Sequence, residues 1–254
     1  MAVIPGRARV RRIIKHYRDD AELYGKPCLS LTYPGWAIHD RIEWGALGTY
    51  IARSRRVPGW TRGEEAVALA QASLAAPPDA VVVEIGSFLG RSAVLLAGAR
   101  KVRGSGRVYC VDPFDASGDA FSASVYRDIQ DSLKSPLRRQ FEANIRRAGL
   151  ADWVEVCQGR ADEVADAWQR PIDLLFMDGD QSFKGARTAY ELWAPFLKPG
   201  GVLAVHNSRP GDYHADHDGQ ARLAADTICP PQYTDVYCVR TTTFARKVAP
   251  YGQL

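Results

Sequence analysis

The residues of this 254-residue chain best suited to chemistry stand at the ends of short apolar runs. The first run, Val81-Val82-Val83-Glu84-Ile85, leads into Gly86-Ser87-Phe88-Leu89-Gly90-Arg91-Ser92, an acid followed by a turn bracketed by glycines. Glycines in such a turn let the backbone approach a ligand at the N-terminus of the helix that follows. Two familiar ligands are disfavoured by the details. A dinucleotide fingerprint needs glycine where Phe88 stands, since a side chain there obstructs a pyrophosphate, and a phosphate loop needs one more residue and a lysine where Arg91 stands. Acids, amides and a histidine end the other runs: Asp112-Pro113-Phe114, Gln158-Gly159-Arg160-Ala161-Asp162, Asp178-Gly179-Asp180-Gln181 and His206-Asn207. Histidine, with an ordinary pKa of about 6.5, suits proton removal near neutrality, with Asp178 or Asp180 to orient it or a substrate.

Positioning these residues requires strands that stop at one edge. The runs at 81–85, 107–111, 153–157, 172–177 and 201–205 are short and apolar, as strands buried on both faces of a parallel sheet should be. Helical patterns at 92–99, 137–148 and 186–196 fall between them. Thr61 with Glu64 predicts a capping box that starts a helix ending at Pro77-Pro78. Segments 234–240 and 241–247 predict an antiparallel strand pair. The fold class is α/β, a Rossmann-like doubly wound sheet, mostly parallel, whose ligand crevice lies beyond the carboxyl ends of the strands. Residues 1–60 read as an N-terminal helical and loop-rich cap, and 61–254 as the ligand-binding domain.

The ordered strand ends resemble the class I S-adenosylmethionine-dependent methyltransferases, whose first motif is an acidic residue leading into a G-x-x-x-G turn. The resemblance spans roughly Trp60 to Lys247. Asp178 to Gly185, followed by Leu192 to Gly201, is similar to a bacterial branch of small-molecule and sugar O-methyltransferases, relatives of the macrolide-sugar methyltransferases. It implies S-adenosylmethionine as cofactor and transfer of its methyl group to a hydroxyl of a natural product or sugar. Asp112 would accept both ribose hydroxyls. Glu84, Gly86, Ser87, Gly90 and Ser92 would shape the methionine and ribose side, with Asp178 bordering it. Phe114 and the loop Gly159, Arg160, Ala161 would wall the adenine.

The acceptor side is expected from the cap aromatics Tyr33, Trp36, Trp44 and Trp60, from Gln181 and Asn207, and from a lid at 208–219 carrying Asp212, Tyr213, His214 and His217. Metal-dependent catechol-type relatives place an aspartate after strand four and an Asp-Asn pair after strand five. This chain keeps Asp178 and Asn207, which would be the ligands of a divalent ion, but departs at His206 and Gln181. Neutral imidazole is a poor Mg²⁺ ligand. The expectation is therefore a metal-independent reaction with His206 as general base.

Composition narrows the rest. Thirty-three basic against 29 acidic residues give a formal charge of +4, too small an excess for a broad nucleic-acid groove. No apolar run approaches the roughly 18 residues that span a bilayer, which predicts a cytoplasmic protein with a small-molecule partner, no membrane and no nucleic acid. A homo-oligomer stays open. Five dispersed cysteines predict reduced, mostly buried thiols. Val10, Ile13, Ile14 and Tyr17 predict an amphipathic N-terminal helix with a basic outer face. The same fold hosts other functions, so a cyclase or a binding or scaffold module is the alternative, with nucleic-acid methylation behind it.

Overall fold

A computed structural model describes residues 33–211 and 213–248. The expected N-terminal amphipathic helix, Cys28 and Asp212 lie outside the described residues, as do the side chains of Tyr33 and Trp36. Seven strands form one sheet in the order β3-β2-β1-β4-β5-β7-β6. They are β1 (Val81–Ile85), β2 (Arg107–Asp112), β3 (Val154–Gln158), β4 (Ile172–Met177), β5 (Leu197–Val205), β6 (Tyr233–Val239) and β7 (Thr242–Lys247). Strands β1 to β5 pair in parallel, and β7 joins β5 and β6 antiparallel. The chain reverses direction in strand order between β1 and β4, the position where such sheets open a crevice.

Alternation along each strand builds two cores. Val82, Val108, Leu174 and Ala204 face helices α3 (Arg91–Arg103) and α5 (Leu137–Arg147), while Val83, Val111, Leu175 and Leu203 face α7 (Phe183–Trp193) and α8 (Gly219–Thr227). Neighbouring residues of a strand point to opposite sides, so an uninterrupted apolar run is what a sheet covered on both faces requires. The remaining helices are α1 (Tyr33–Ser54), α2 (Gly63–Ala75), α4 (Ala120–Asp131) and α6 (Ala161–Asp166). The sequence reading missed α4, α6 and α8, and it took residues 26–60, where α1 forms, for a loop-rich stretch.

Helix α1 is part of the body of the protein. It is interrupted at Gly45, where φ is 57° and ψ −133°, and then lays Leu47 and Ile51 against Val67, Ala70, Leu95 and Ala99 of α2 and α3. A Cβ on Gly98 would fall 2.3 Å from Tyr50, so a glycine is what lets α1 cross α3 this closely. Asp40, fully buried, receives two hydrogen bonds from Arg55 at 2.9 and 3.0 Å. Helix α2 begins one residue later than expected: the carboxylate of Glu65, not Glu64, accepts the Arg62 backbone N–H at 3.1 Å.

Of the four described cysteines, all free, only Cys110 is buried, and Cys229 and Cys238 are exposed at the surface. That corrects the expectation of mostly buried thiols: Cys238 lies on the edge strand β6 and Cys229 in the segment between α8 and β6, both uncovered. Among the described residues no helix is long and apolar enough to cross a membrane.

Candidate functional site

A cavity of about 450 Å³ opens at the carboxyl ends of β1, β2 and β4. Gly86 brings its floor together: at φ 87°, a Cβ there would sit 2.3 Å from the Asp178 carbonyl oxygen, so the turn after β1 lies directly against the end of β4. Of the residues expected at the cofactor, Gly86, Ser87, Ser92, Asp112, Arg160, Ala161 and Asp178 line this cavity.

Asp112 has an additional task. Its Oδ2 accepts the backbone N–H groups of Ser87 and Phe88, each at 2.8 Å, and its Oδ1 accepts that of Phe114 at 2.6 Å. Phe88 has φ 46°, a left-handed conformation unusual for a bulky side chain, and the Asp112 carboxylate holds it there. Burial pushes the Asp112 carboxyl up, and the three N–H donors oppose that shift.

Four expected cofactor residues stand behind the wall. Glu84 is fully buried, accepting from Ser87 Oγ at 2.7 Å and Cys110 Sγ at 3.3 Å, and burial raises its pKa to about 7. Its Oε1 is buried without a hydrogen-bond partner. Gly90, at φ 90°, starts α3 where a Cβ would touch the Phe141 ring at 3.0 Å. Phe114 packs on that same ring, centroids 5.3 Å apart, and belongs to the core rather than to a wall for a base. Gly159 turns the chain at φ 157° outside the cavity lining.

The catalytic expectation is reversed in depth. It set His206 at the substrate and an aspartate behind it, but His206 is 2% exposed and does not line the cavity, whereas Asp178 and Asp180 do. The Nδ1 of His206 lies 2.7 Å from Asp178 Oδ1, and its Nε2 lies 3.8 Å from Oε1 of Glu65. Burial would push the imidazole down, but the Asp178 carboxylate, the hydrogen bond to it and Glu65 outweigh that and hold the pKa at about 10. Glu65 is affected in the opposite direction: burial raises it, yet the nearby His206 imidazolium and hydrogen bonds from Thr241 and the Arg62 N–H lower it to about 2. An imidazole held protonated between two carboxylates has no lone pair with which to take a proton.

Gln181, also buried, donates to Asp178 Oδ1 at 3.4 Å and accepts from Asn207 Nδ2 at 3.0 Å. Both were expected at the substrate; neither lines the cavity, and Asn207 holds Gln181 against Asp178 from behind. Among the described residues no group of three or more His, Cys, Asp and Glu side chains is arranged to hold a metal ion.

One expected acceptor aromatic, Trp60, is at the cavity, 42% exposed. Its ring is 5.6 Å from Phe88 and 5.4 Å from Tyr126 of α4, and Phe88 is 4.9 Å from Tyr126. Trp44 packs instead into the α1–α2–α3 core. Tyr213 and His214 are outside the lining. His214 stacks on Phe121 at 4.2 Å, and His217 Nδ1 lies 3.1 Å from Asp119, so their loop clasps the start of α4.

Sequence reasoning missed Glu65, Phe88 and Tyr126. Asp119 followed by Ser122, whose N–H it accepts at 3.0 Å, is an N-cap signal that would have located α4 and hence Tyr126. Nothing local marks Glu65.

Residues 83–208 match a family model described as a methyltransferase domain. Solved structures share the fold. TomG, an O-methyltransferase from Streptomyces achromogenes involved in tomaymycin synthesis and solved with SAM, is 17% identical, with 85% of this chain and 99% of that one covered and a TM-score of 0.56. An O-methyltransferase from Bacillus cereus in complex with SAH is 18% identical, covering 85% and 100%, with a TM-score of 0.53. The O-methyltransferase NovP is 14% identical, covering 95% and 99%, with a TM-score of 0.57.

Proposed function

We propose that the protein, whose residues 83–208 match a methyltransferase-domain model, transfers a methyl group from S-adenosylmethionine to a hydroxyl of a small molecule. The observation that carries this reading is Asp178, a carboxylate that lines the cavity while one of its oxygens is held from behind by His206. When bound, S-adenosylmethionine supplies a methyl carbon on a sulfonium, open to in-line displacement. What the protein must do is align the acceptor oxygen and remove its proton.

The residues present fit this cofactor. Asp112, Asp115, Asp162, Asp178 and Asp180 outnumber Arg91, Arg160 and Lys184 in the lining, an acidic excess that suits a cation. The Gly86 turn leaves room for close backbone approach, and Asp112 stands where a ribose would meet it, as its motif implies. Arg160 and Ala161 border the adenine side. Asp178, whose side chain is 18% exposed, takes the acceptor proton; burial pushes its carboxyl up, and the His206 imidazolium opposes that shift and orients it. Trp60, Phe88 and Tyr126 cover the acceptor, a role narrower than a cap made of all residues 1–60. The hydroxyl acceptor and the natural-product class draw on the likeness to TomG and NovP, which are named as O-methyltransferases.

Incubating the protein with S-adenosylmethionine and a panel of phenolic and sugar acceptors should release S-adenosylhomocysteine with a product heavier by one methylene. Asp178→Asn should then cut turnover by about 10²–10⁴-fold while cofactor affinity stays within a few-fold. Consistent failure across hydroxylated acceptors would reject the reading. EDTA should leave turnover unchanged; loss restored by Mg²⁺ would return Asp178 and Asn207 to the role of metal ligands.

A further inference from the structure

Glu65 joins three elements at the back of the site. It is 3% exposed, in the first turn of α2. Its Oε1 accepts the Arg62 N–H at 3.1 Å and stands 3.8 Å from His206 Nε2. Its Oε2 accepts from Thr241 Oγ1 at 2.8 Å, Thr242 Oγ1 at 3.2 Å and the Thr241 backbone N–H at 3.3 Å, all at the β6–β7 hairpin. The His206 ring therefore has a carboxylate at each nitrogen, Asp178 from β4 and Glu65 from α2. Rotating the ring by half a turn would replace those nitrogens with carbons, so this arrangement admits one ring orientation. Asp178 alone would anchor only one edge of the ring and leave it free to tilt.

We propose that Glu65 is a positioning residue for methyl transfer: acting through His206, it fixes the Asp178 carboxylate at the cavity wall. The inference rests on the reading of Asp178 as the proton acceptor. The competing role is purely architectural, with Glu65 pinning α2 to the hairpin through Thr241 and Thr242. The two roles separate because Glu65→Gln removes the charge facing His206 yet keeps an oxygen for the threonines, whereas Thr241→Val removes a pin and leaves the charge.

The test uses the full chain labelled with ¹⁵N-histidine and ¹³C-aspartate. In the wild-type protein the His206 Nδ1–H and the Asp178 carboxyl carbon should each give one sharp resonance. Glu65→Gln should broaden or shift both, Thr241→Val should leave both in place, and the two variants should bind S-adenosylmethionine within about twofold of wild type. With an acceptor from the panel above, Glu65→Gln should lower kcat by about 10–100-fold, the range typical of outer partners that orient a reacting group, with KM little changed. Unchanged resonances in Glu65→Gln, or the same change in Thr241→Val, would overturn the proposal. Should Glu65→Gln not fold, Glu65→Asp, which keeps the charge but withdraws it, should show the same shifts in smaller measure, and their absence counts equally against it. A wild-type protein that methylates no acceptor defeats the parent reading but leaves the resonance test in force.

Discussion

The Asp112 carboxylate receives three backbone N–H groups from the turns that follow β1 and β2, and in the proposed complex it also receives the cofactor ribose. Asp112→Ala should therefore do two things together. Cofactor affinity should fall by the equivalent of about 1.5–3 kcal/mol, the worth of charge-assisted hydrogen bonds, and stability should drop because donors once paired lose their acceptor. Calorimetry together with a thermal melt checks this, and a folded variant with wild-type affinity would remove Asp112 from the site. Gly86 makes a sharper demand. Alanine there must hold φ near 87° and place its Cβ 2.3 Å from the Asp178 carbonyl oxygen, contacts that only a backbone shift relieves. Gly86→Ala should lower both the melting temperature and cofactor affinity, because the shift moves β1 and β4 apart at the cavity floor. A variant that melts and binds like wild type would show that the floor has slack.

Among the elements, α4 carries Tyr126 of the proposed acceptor-side cover, and it is held at one end. Asp119 caps the helix by accepting the Ser122 N–H at 3.0 Å and also faces His217 at 3.1 Å, while Phe121 stacks on His214. Those hydrogen bonds outweigh burial and hold the Asp119 pKa down at about 2. Asp119→Ala removes cap and clasp in one step, at about 1 kcal/mol for the cap. Amide exchange should quicken in residues 120–123 and 213–218 and stay unchanged in β1 and β4. Equal exchange in both proteins would mean that the stacked Phe121 and His214 rings suffice to hold the loop. Elements with strong apolar periodicity were legible in the sequence, as β1, β4 and α5 were. Helices α4, α6 and α8 were not, because α6 is only six residues long and α4 and α8 bury few residues, hardly any of them large and apolar, so no run of core positions marks them.

For the whole molecule, buried ionisable groups set how stability varies with pH. Glu84 is raised from 4.5 to about 7 by burial. A carboxyl with a raised folded-state pKa binds its proton more tightly when folded, so its contribution is complete below about pH 4.5 and is lost as pH rises to about 7. Glu65 works in the other sense: lowered to about 2, it stabilises above pH 4.5 and the benefit is lost as pH falls toward 2. His206, raised from 6.5 to about 10, stabilises fully below 6.5 and loses that contribution as pH rises through 10. Urea midpoints measured from pH 4.5 to 7 should therefore fall less steeply in Glu84→Gln than in wild type. Identical slopes would mean that Glu84 is ionised throughout.

By itself the sequence determined the sheet, its parallel character and the edge at which polar residues gather, because strand periodicity and glycine turns are written within a few neighbouring residues. It also determined Asp112, Asp178 and the turn at Gly86 as parts of one crevice, since each follows directly from where a strand ends. Only the tertiary structure decided depth. Whether a strand-end side chain meets the cavity or lies behind it depends on what distant segments pack over it, and so His206 and Gln181 went inward, Phe114 joined the core and Asp178 remained at the wall. The pairing of His206 with Glu65 is of the same kind: α2 and β5 are far apart along the chain, and the second carboxylate, which adds to the larger effect of Asp178 on the imidazole, reaches it only when both elements are packed against the same end of the sheet.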